Sequence, residues 1–369
     1  MPAEITKSLV LKVASCAFFI MLVFSPAQGA DDGCKDVGEY SFICGPASAE
    51  DLVLIPDTKW IVASGFAGGV SLYLVDSEQK TWSNFYPASE PRARQNMKVY
   101  GACPGSPNPN GFVAHGLNIR PGSEGHSTLY VVGHGEREAI EVFDVDASGD
   151  VPVLTWTGCI LTPDSMVANS VASFTDGSLV ATIPLQTGRL INEALAGSST
   201  GAVYEWSPGD AGFTMIEGTE MPYGNGIEVS ADGQEFYVAS SGLRKVLAFS
   251  NSNPTRLLRS SEEFSIIPDN LHMGGDGNLI TAGLALKDAV CGDVQMSLEF
   301  DLAEFASCPR AFTVLSVDPQ SMQASVLATS PAQKYFSNIT MALEVGDELW
   351  IGTFAGDRIA YRTLKQGAD

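Results

Sequence analysis

The sequence has little positive charge. Its 369 residues include 21 Lys and Arg against 43 Asp and Glu, and charged residues make up only 17% of it. A chain of net charge −22 repels nucleic acid and anionic membrane surfaces, so neither is an expected partner. Long apolar runs are also lacking. The one candidate, residues 13–24 (VASCAFFIMLVF), falls short of the roughly 20 residues that a membrane span needs. Lys7 and Lys12 precede it, and Ser25-Pro26 and the small residues of Ala27-Gln28-Gly29-Ala30 follow it. It therefore reads as an export signal over residues 1–29, with an uncleaved anchor as the alternative. Its removal takes away Glu4, Lys7 and Lys12 and leaves 19 basic and 42 acidic side chains, a net charge of −23. The mature chain is expected to be periplasmic or extracellular, without a membrane span.

Other absences narrow the chemistry. There are four His, and no CxxC or Cys/His spacing of a zinc site. No nucleotide-binding glycine motif stands out. Residues 65–69 (GFAGG) form a turn between expected strands with no helix after them. Residues 197–201 (GSSTG) match Gly-x-Ser-x-Gly, but a serine-hydrolase elbow needs a helix after the motif. Here an apolar strand (AVYEW) follows instead. No stretch rich in Pro, Ser or charge divides the chain, so residues 30–369 are expected to form one domain. Cys16 leaves with the signal. Cys34, Cys44, Cys103, Cys159, Cys291 and Cys308 remain, an even number that favours disulfides in an exported protein. Cys34 with Cys44, and Cys291 with Cys308, would each close a local loop; other pairings stay open.

What is present is a repeat. Hydrophobic residues are 45% of the chain, and 37 Gly and 20 Pro point to many turns. A polar residue, an apolar strand, a Gly-rich turn and a second strand recur: NSVASFTDGSLVATIP from Asn169, NGIEVSADGQEFYVASS from Asn225, NLHMGGDGNLITAG from Asn270. Their Asp176-Gly177, Asp232-Gly233 and Asp276-Gly277 turns are strong hairpin signals. Similar units start at His115 and Asn338, and at Glu50. Six such units, many followed by another strand, predict an all-β six-bladed propeller with four-stranded blades. Short helices are expected only in loops, within residues 188–197 and 302–306.

In a propeller the first strand of each blade lines the central channel, so its head residue faces the axis. The heads are Glu50, His115, Asn169, Asn225, the pair Asp269-Asn270, and Asn338. An isolated Asn commonly satisfies the backbone of a turn or strand end. Six polar heads in one repeat position instead predict a central metal site. Carboxylates plus amide oxygens suit calcium better than zinc.

These residues also resemble a family. Ala49-Glu50-Asp51-Leu52, Ala114-His115-Gly116-Leu117, the strand LYVVGHGE ending near His134, Gly224-Asn225-Gly226-Ile227 and Pro268-Asp269-Asn270-Leu271 occur in that order. The set resembles segments of the paraoxonase (arylesterase/lactonase) family, within the wider gluconolactonase-like calcium-dependent propellers. Val167-Ala168-Asn169-Ser170 matches less well. The likeness runs from about residue 45 to the end. It implies catalytic-calcium ligands at Glu50, Asn169, Asn225, Asp269 and Asn270, and a histidine dyad of His115 and His134. It implies a second, structural calcium near Asp51 and the Leu117 carbonyl, but Ser170 stands where that site needs a carboxylate. The family's disulfide from the amino terminus to the last blade has no counterpart, because no Cys follows Cys308. Closure by strand pairing is one expected substitute.

The function so implied is calcium-dependent hydrolysis of a small-molecule lactone or aryl ester. His115 would be the base, His134 its partner, and Asp269 the other catalytic candidate. The alternative is a non-catalytic propeller that binds a small ligand or a protein. Of the remaining histidines, His126 lies in a Gly/Ser turn, and His272 shares a strand with Asn270 as a lesser pocket candidate. Asn338-Ile339-Thr340 fits a glycosylation sequon.

Overall fold

A computed structural model of the chain describes residues 34–364; the expected export signal lies outside them. Six antiparallel sheets follow one another along the chain. Blade one is Ala49–Leu54, Trp60–Gly65, Leu72–Asp76 and Thr81–Tyr86. Blade two is Phe112–Pro121, His126–Gly135, Ala139–Asp146 and Val153–Leu161, with Arg92–Ala93 added in parallel at its outer edge. Val171–Ser173, Gly224–Val229, Ile266–Met273 and Ile339–Val345 open blades three to six as their inner strands. The chain is thus a six-bladed β-propeller, as its six repeats predict.

The strands are apolar because most are covered on both faces. Successive side chains point to opposite faces of a strand. In a propeller those faces meet the preceding and the following blade. Accordingly, the six buried apolar clusters among the described residues each join two neighbouring blades. Val53, Val62 and Leu74 of blade one, for example, share a cluster with Leu117, Leu129 and Phe143 of blade two. The core is a ring of interfaces, which leaves the axis free for polar residues.

The ring closes by strand pairing. Ser41–Cys44 is the outermost strand of blade six, antiparallel to Arg358–Thr363, with Phe42 opposite Ala360. Arg362 adds an ion pair to Glu39 at 2.7 Å. Cys44 is bonded to Cys34 and Cys291 to Cys308, the two local loops; Cys103–Cys159 ties the connection into blade two to that blade's last strand. Three disulfides fit an oxidising, exported compartment.

The hairpins between first and second strands use the expected turns, with φ of 88° at Gly177, 69° at Gly233 and 82° at Gly277. The opposite end of the barrel carries the loops between second and third strands. Two of these hold the short helices Ile191–Leu195 and Leu302–Ser307. Among the described residues, no helix is long and apolar enough to cross a membrane.

Asp288 organises the loop with the Cys291–Cys308 bridge. Its Oδ1 accepts from the amides of Val290 and Cys291 at 2.7 and 2.8 Å, and its Oδ2 from Ala311 N at 2.7 Å. Burial works to raise its pKa, but these three donors outweigh it and hold the carboxyl below its usual range. A lowered folded pKa gives stability that is present above the unfolded value, about 3.9, and is lost as pH falls through the folded one. Asp288→Ala should therefore cost about 1–3 kcal/mol at neutral pH, since it strips partners from backbone donors. Its Tm deficit against wild type should shrink in acid. A deficit that stays constant from neutral pH to pH ~3 would contradict this.

Candidate functional site

The polar heads escape the in–out alternation through bulges. Each of five inner strands holds one residue more than its partner at the head. The breaks fall between Ala49 and Leu52, Ala114 and Leu117, Gly224 and Ile227, Pro268 and Leu271, and Ile339 and Met341. They bracket Glu50-Asp51, His115-Gly116, Asn225-Gly226, Asp269-Asn270 and Thr340. A bulge leaves a residue out of the ladder and re-aims its side chain. In blade three Asn169 and Ser170 lie just before the short strand, held by Asn169 N to Thr182 O at 2.9 Å and Thr182 N to Ser170 O at 3.0 Å.

Two glycines let these bulges crowd together. A Cβ on Gly116 would lie 2.5 Å from the Asn169 carbonyl oxygen, and one on Gly226 would lie 2.3 Å from Leu271 N. Buried hydroxyls then pin one blade to the next. Ser71 donates to Phe112 O at 2.6 Å, Thr182 to Asn225 O at 2.6 Å, Ser241 to Pro268 O at 2.7 Å and Thr340 to Glu50 O at 2.5 Å.

The result is a compact polar cluster. Asn270 Nδ2 donates to Glu50 Oε1 at 2.7 Å, and His115 Nε2 lies 3.6 Å from the same oxygen. Glu50, Asn169, Asn225 and Asn270 are buried. Their Oε2, Oδ1, Oδ1 and Oδ1 atoms have no protein partner, although buried polar atoms rarely go unpaired. Burial raises the Glu50 and Asp269 carboxyls well above their usual range; Asp51 adds to this at Glu50, and Glu50 at Asp269. Two carboxylates and several amide oxygens with free lone pairs fit a hard divalent cation, whose charge would relieve that repulsion. They do not fit zinc. Among the described residues no group of three or more His, Cys, Asp and Glu forms a metal cluster.

Beside the cluster is a histidine pair. His115 Nδ1 lies 3.0 Å from His134 Nε2, and His134 Nδ1 lies 2.6 Å from Glu138 Oε2. Burial lowers the pKa of both rings, that of His115 to about 4. The Phe66 ring packs on His115 with centroids 4.4 Å apart. It comes from the glycine-rich turn between the second and third strands of blade one.

A second cation does not fit. Asp51 is fully buried. Its Oδ1 accepts from Leu52 N at 2.8 Å and lies 2.7 Å from His272 Nε2; its Oδ2 accepts from Leu117 N at 2.7 Å. These contacts satisfy Oδ1 and leave Oδ2 a single acceptor position, and Ser170 brings no charge. The expectation of a structural calcium at Asp51 and Leu117 is thus answered by an imidazole from this chain. His272 belongs to this pair and not to the open cluster.

Other expected residues are placed as follows. Asn338 has a φ of 58° and donates its amide nitrogen to the Ala306 carbonyl at 3.2 Å; its Oδ1, like those of Asn169, Asn225 and Asn270, has no protein partner. Asn338 and Thr340 are buried, so their sequon is not a surface acceptor. His126 is exposed and pairs with Asp144 at 3.1 Å. Sequence reasoning missed Glu138, the Asp51–His272 pair and Tyr223. Tyr223 takes a left-handed φ of 43° two residues before Asn225. Burial and then the Asp269 and Glu50 carboxylates push its phenol upward. A bulky residue at positive φ costs energy and tends to mark a site, but no sequence pattern signals it.

Comparison with known proteins supports the fold. No protein-family model and no curated protein matches the chain. Among solved structures, a luciferin-regenerating enzyme superposes with a TM-score of 0.53 at 14% identity, over 88% of this chain and 93% of that one. A structural-genomics protein described as a candidate gluconolactonase does so with a TM-score of 0.53 at 14% identity, over 92% and 97%. A Bacteroides thetaiotaomicron protein of unknown function gives 0.52 at 12% identity, over 88% and 76%. At these identities the likeness is one of fold.

Proposed function

We propose that this propeller is a calcium-dependent hydrolase of lactones or aryl esters. The observation that carries the reading is the set of unpartnered oxygens of Glu50, Asn169, Asn225 and Asn270 beside the His115–His134 pair. Those four residues and Asp269 would hold the ion. Bound calcium supplies a positive charge that polarises an ester carbonyl and favours the oxyanion. The chain's own residues do the rest. His115, neutral at physiological pH, presents Nε2 to the cluster and takes a proton from water. His134 holds the other face of that ring in place. Phe66 covers the imidazole and shields it from bulk solvent. One superposing structure is described as a candidate gluconolactonase, a name for a lactone hydrolase.

The test is hydrolysis of a panel of lactones and aryl esters by the full chain with calcium, after chelation, and with calcium restored, alongside Asp269→Ala. Chelation should abolish turnover reversibly. Asp269→Ala should weaken calcium binding by roughly tenfold or more, because one of only two formal charges in the cluster is gone. Activity that survives thorough calcium removal would defeat the metal-dependent mechanism. A protein that binds calcium yet leaves the whole panel intact would be a ligand-binding propeller.

A further inference from the structure

Glu138 lies on the loop between the second and third strands of blade two, four residues after His134. Its backbone carbonyl is fixed by Thr162, whose N and Oγ1 donate to it at 3.1 and 3.3 Å. Its side chain is largely buried, with 17% exposure, and reaches His134 Nδ1 at 2.6 Å. The direction of the hydrogen bonds then follows from valence. A carboxylate only accepts, so His134 Nδ1 carries a proton. A neutral imidazole has one N–H, so His134 Nε2 is bare and accepts from His115 Nδ1–H across 3.0 Å. His115 Nε2 is then bare as well, and it is the nitrogen that faces Glu50 Oε1 at 3.6 Å.

We propose that Glu138 is the positioning residue of this site, setting the polarity of the His134–His115 pair so that His115 offers an unprotonated Nε2 to the reacting water. The proposal rests on the hydrolase reading above and adds to it the residue that makes His115 a base. Without Glu138 the chain of hydrogen bonds can run backwards. His134 would carry its proton on Nε2 and donate to His115 Nδ1, and His115 would face the cluster with an N–H that cannot accept. Glu138 touches neither substrate nor ion in this arrangement; it acts through His134 alone. A side chain in contact with a catalytic imidazole commonly selects its tautomer in this way.

The test uses the full chain with calcium, labelled with nitrogen-15 in histidine, and compares wild type with Glu138→Gln, Glu138→Leu and Glu138→Asp. Glutamine can donate as well as accept, leucine does neither, and aspartate only accepts. In wild type, ring nitrogen shifts should show His134 and His115 both protonated on Nδ1. Glu138→Gln and Glu138→Leu should move part of the population to Nε2–H, with turnover falling roughly 10- to 100-fold and KM changed less than about twofold. Glu138→Asp should keep the wild-type tautomers and recover most of the turnover. If wild-type tautomers persist in both the Gln and the Leu variants, Glu138 does not set them and the proposal is overturned. The same holds if His134 proves to be protonated on Nε2 in wild type. The nitrogen shifts are read without substrate, so a chain inert towards every ester would sink the hydrolase reading while the tautomer assignment stood.

Discussion

His115→Gln is expected to cut turnover by roughly 100-fold or more while calcium affinity stays within about twofold. The two effects separate because of where the ring sits. His115 heads blade two beside Gly116, and its Nε2 lies 3.6 Å from a carboxylate oxygen of Glu50. In the proposed site Glu50 and not His115 holds the ion. Glutamine preserves size and polarity but has no lone pair basic enough to take a proton from water. The wild-type ring has such a lone pair free at pH 7, because burial lowers its pKa to about 4 and leaves the imidazole neutral, at some cost in basicity. Calorimetric calcium titration and lactone kinetics on the same preparation measure both quantities. Unchanged turnover would move the base to Asp269. A parallel loss of calcium binding would make His115 a ligand instead.

His272→Ala is expected to lower stability by about 3–5 kcal/mol at neutral pH, because it leaves a buried carboxylate without its counter-charge. Asp51 has no solvent exposure. The imidazole meets it at 2.7 Å and has Glu228 at 3.8 Å on its other side. Burial by itself lowers the His272 pKa, but the Asp51 and Glu228 carboxylates overcome that and push it up to about 10. A folded pKa above the unfolded value of about 6.5 gives stability that is complete below pH 6.5 and is lost as pH rises through 10. The gap between wild type and variant should therefore be widest near pH 6 and narrow steadily into alkali. Adding Asp51→Asn to His272→Ala should recover part of the loss, since the unpaired charge goes with it. Denaturant melts of the three proteins across that pH range, with calcium present, provide the measurement. If His272→Ala matches wild type to within ~0.5 kcal/mol at pH 6, the ion pair is not holding the hub of the propeller.

How much of this was legible depended on the range of the interactions. Asp-Gly turns and apolar strands are local patterns, so six repeats could be counted directly and translated into six blades. The heads Glu50, His115, Asn169, Asn225 and Asp269-Asn270 were legible for the same reason. Each stands at one place in its repeat, and a ring converts equal places into neighbours. Asn338 shares the pattern and the unpartnered Oδ1, but its φ of 58° and the bond from its amide nitrogen to the Ala306 carbonyl are details that the repeat does not record. The two local disulfides were open to simple loop reasoning, whereas Cys103–Cys159 spans 56 residues and was not.

By itself, then, the sequence determined the class of fold and the identity of the polar heads, both carried by short-range periodicity. Only the tertiary structure decided how those heads are aimed, through one extra residue in each of five inner strands. It alone decided that closure comes from Ser41–Cys44 pairing with Arg358–Thr363. Partners 221 residues apart put His272, and not a second cation, against Asp51. A loop placed Glu138 behind His134, outside any strand period. Such contacts depend on where the whole ring brings separate blades together, and no local pattern records that.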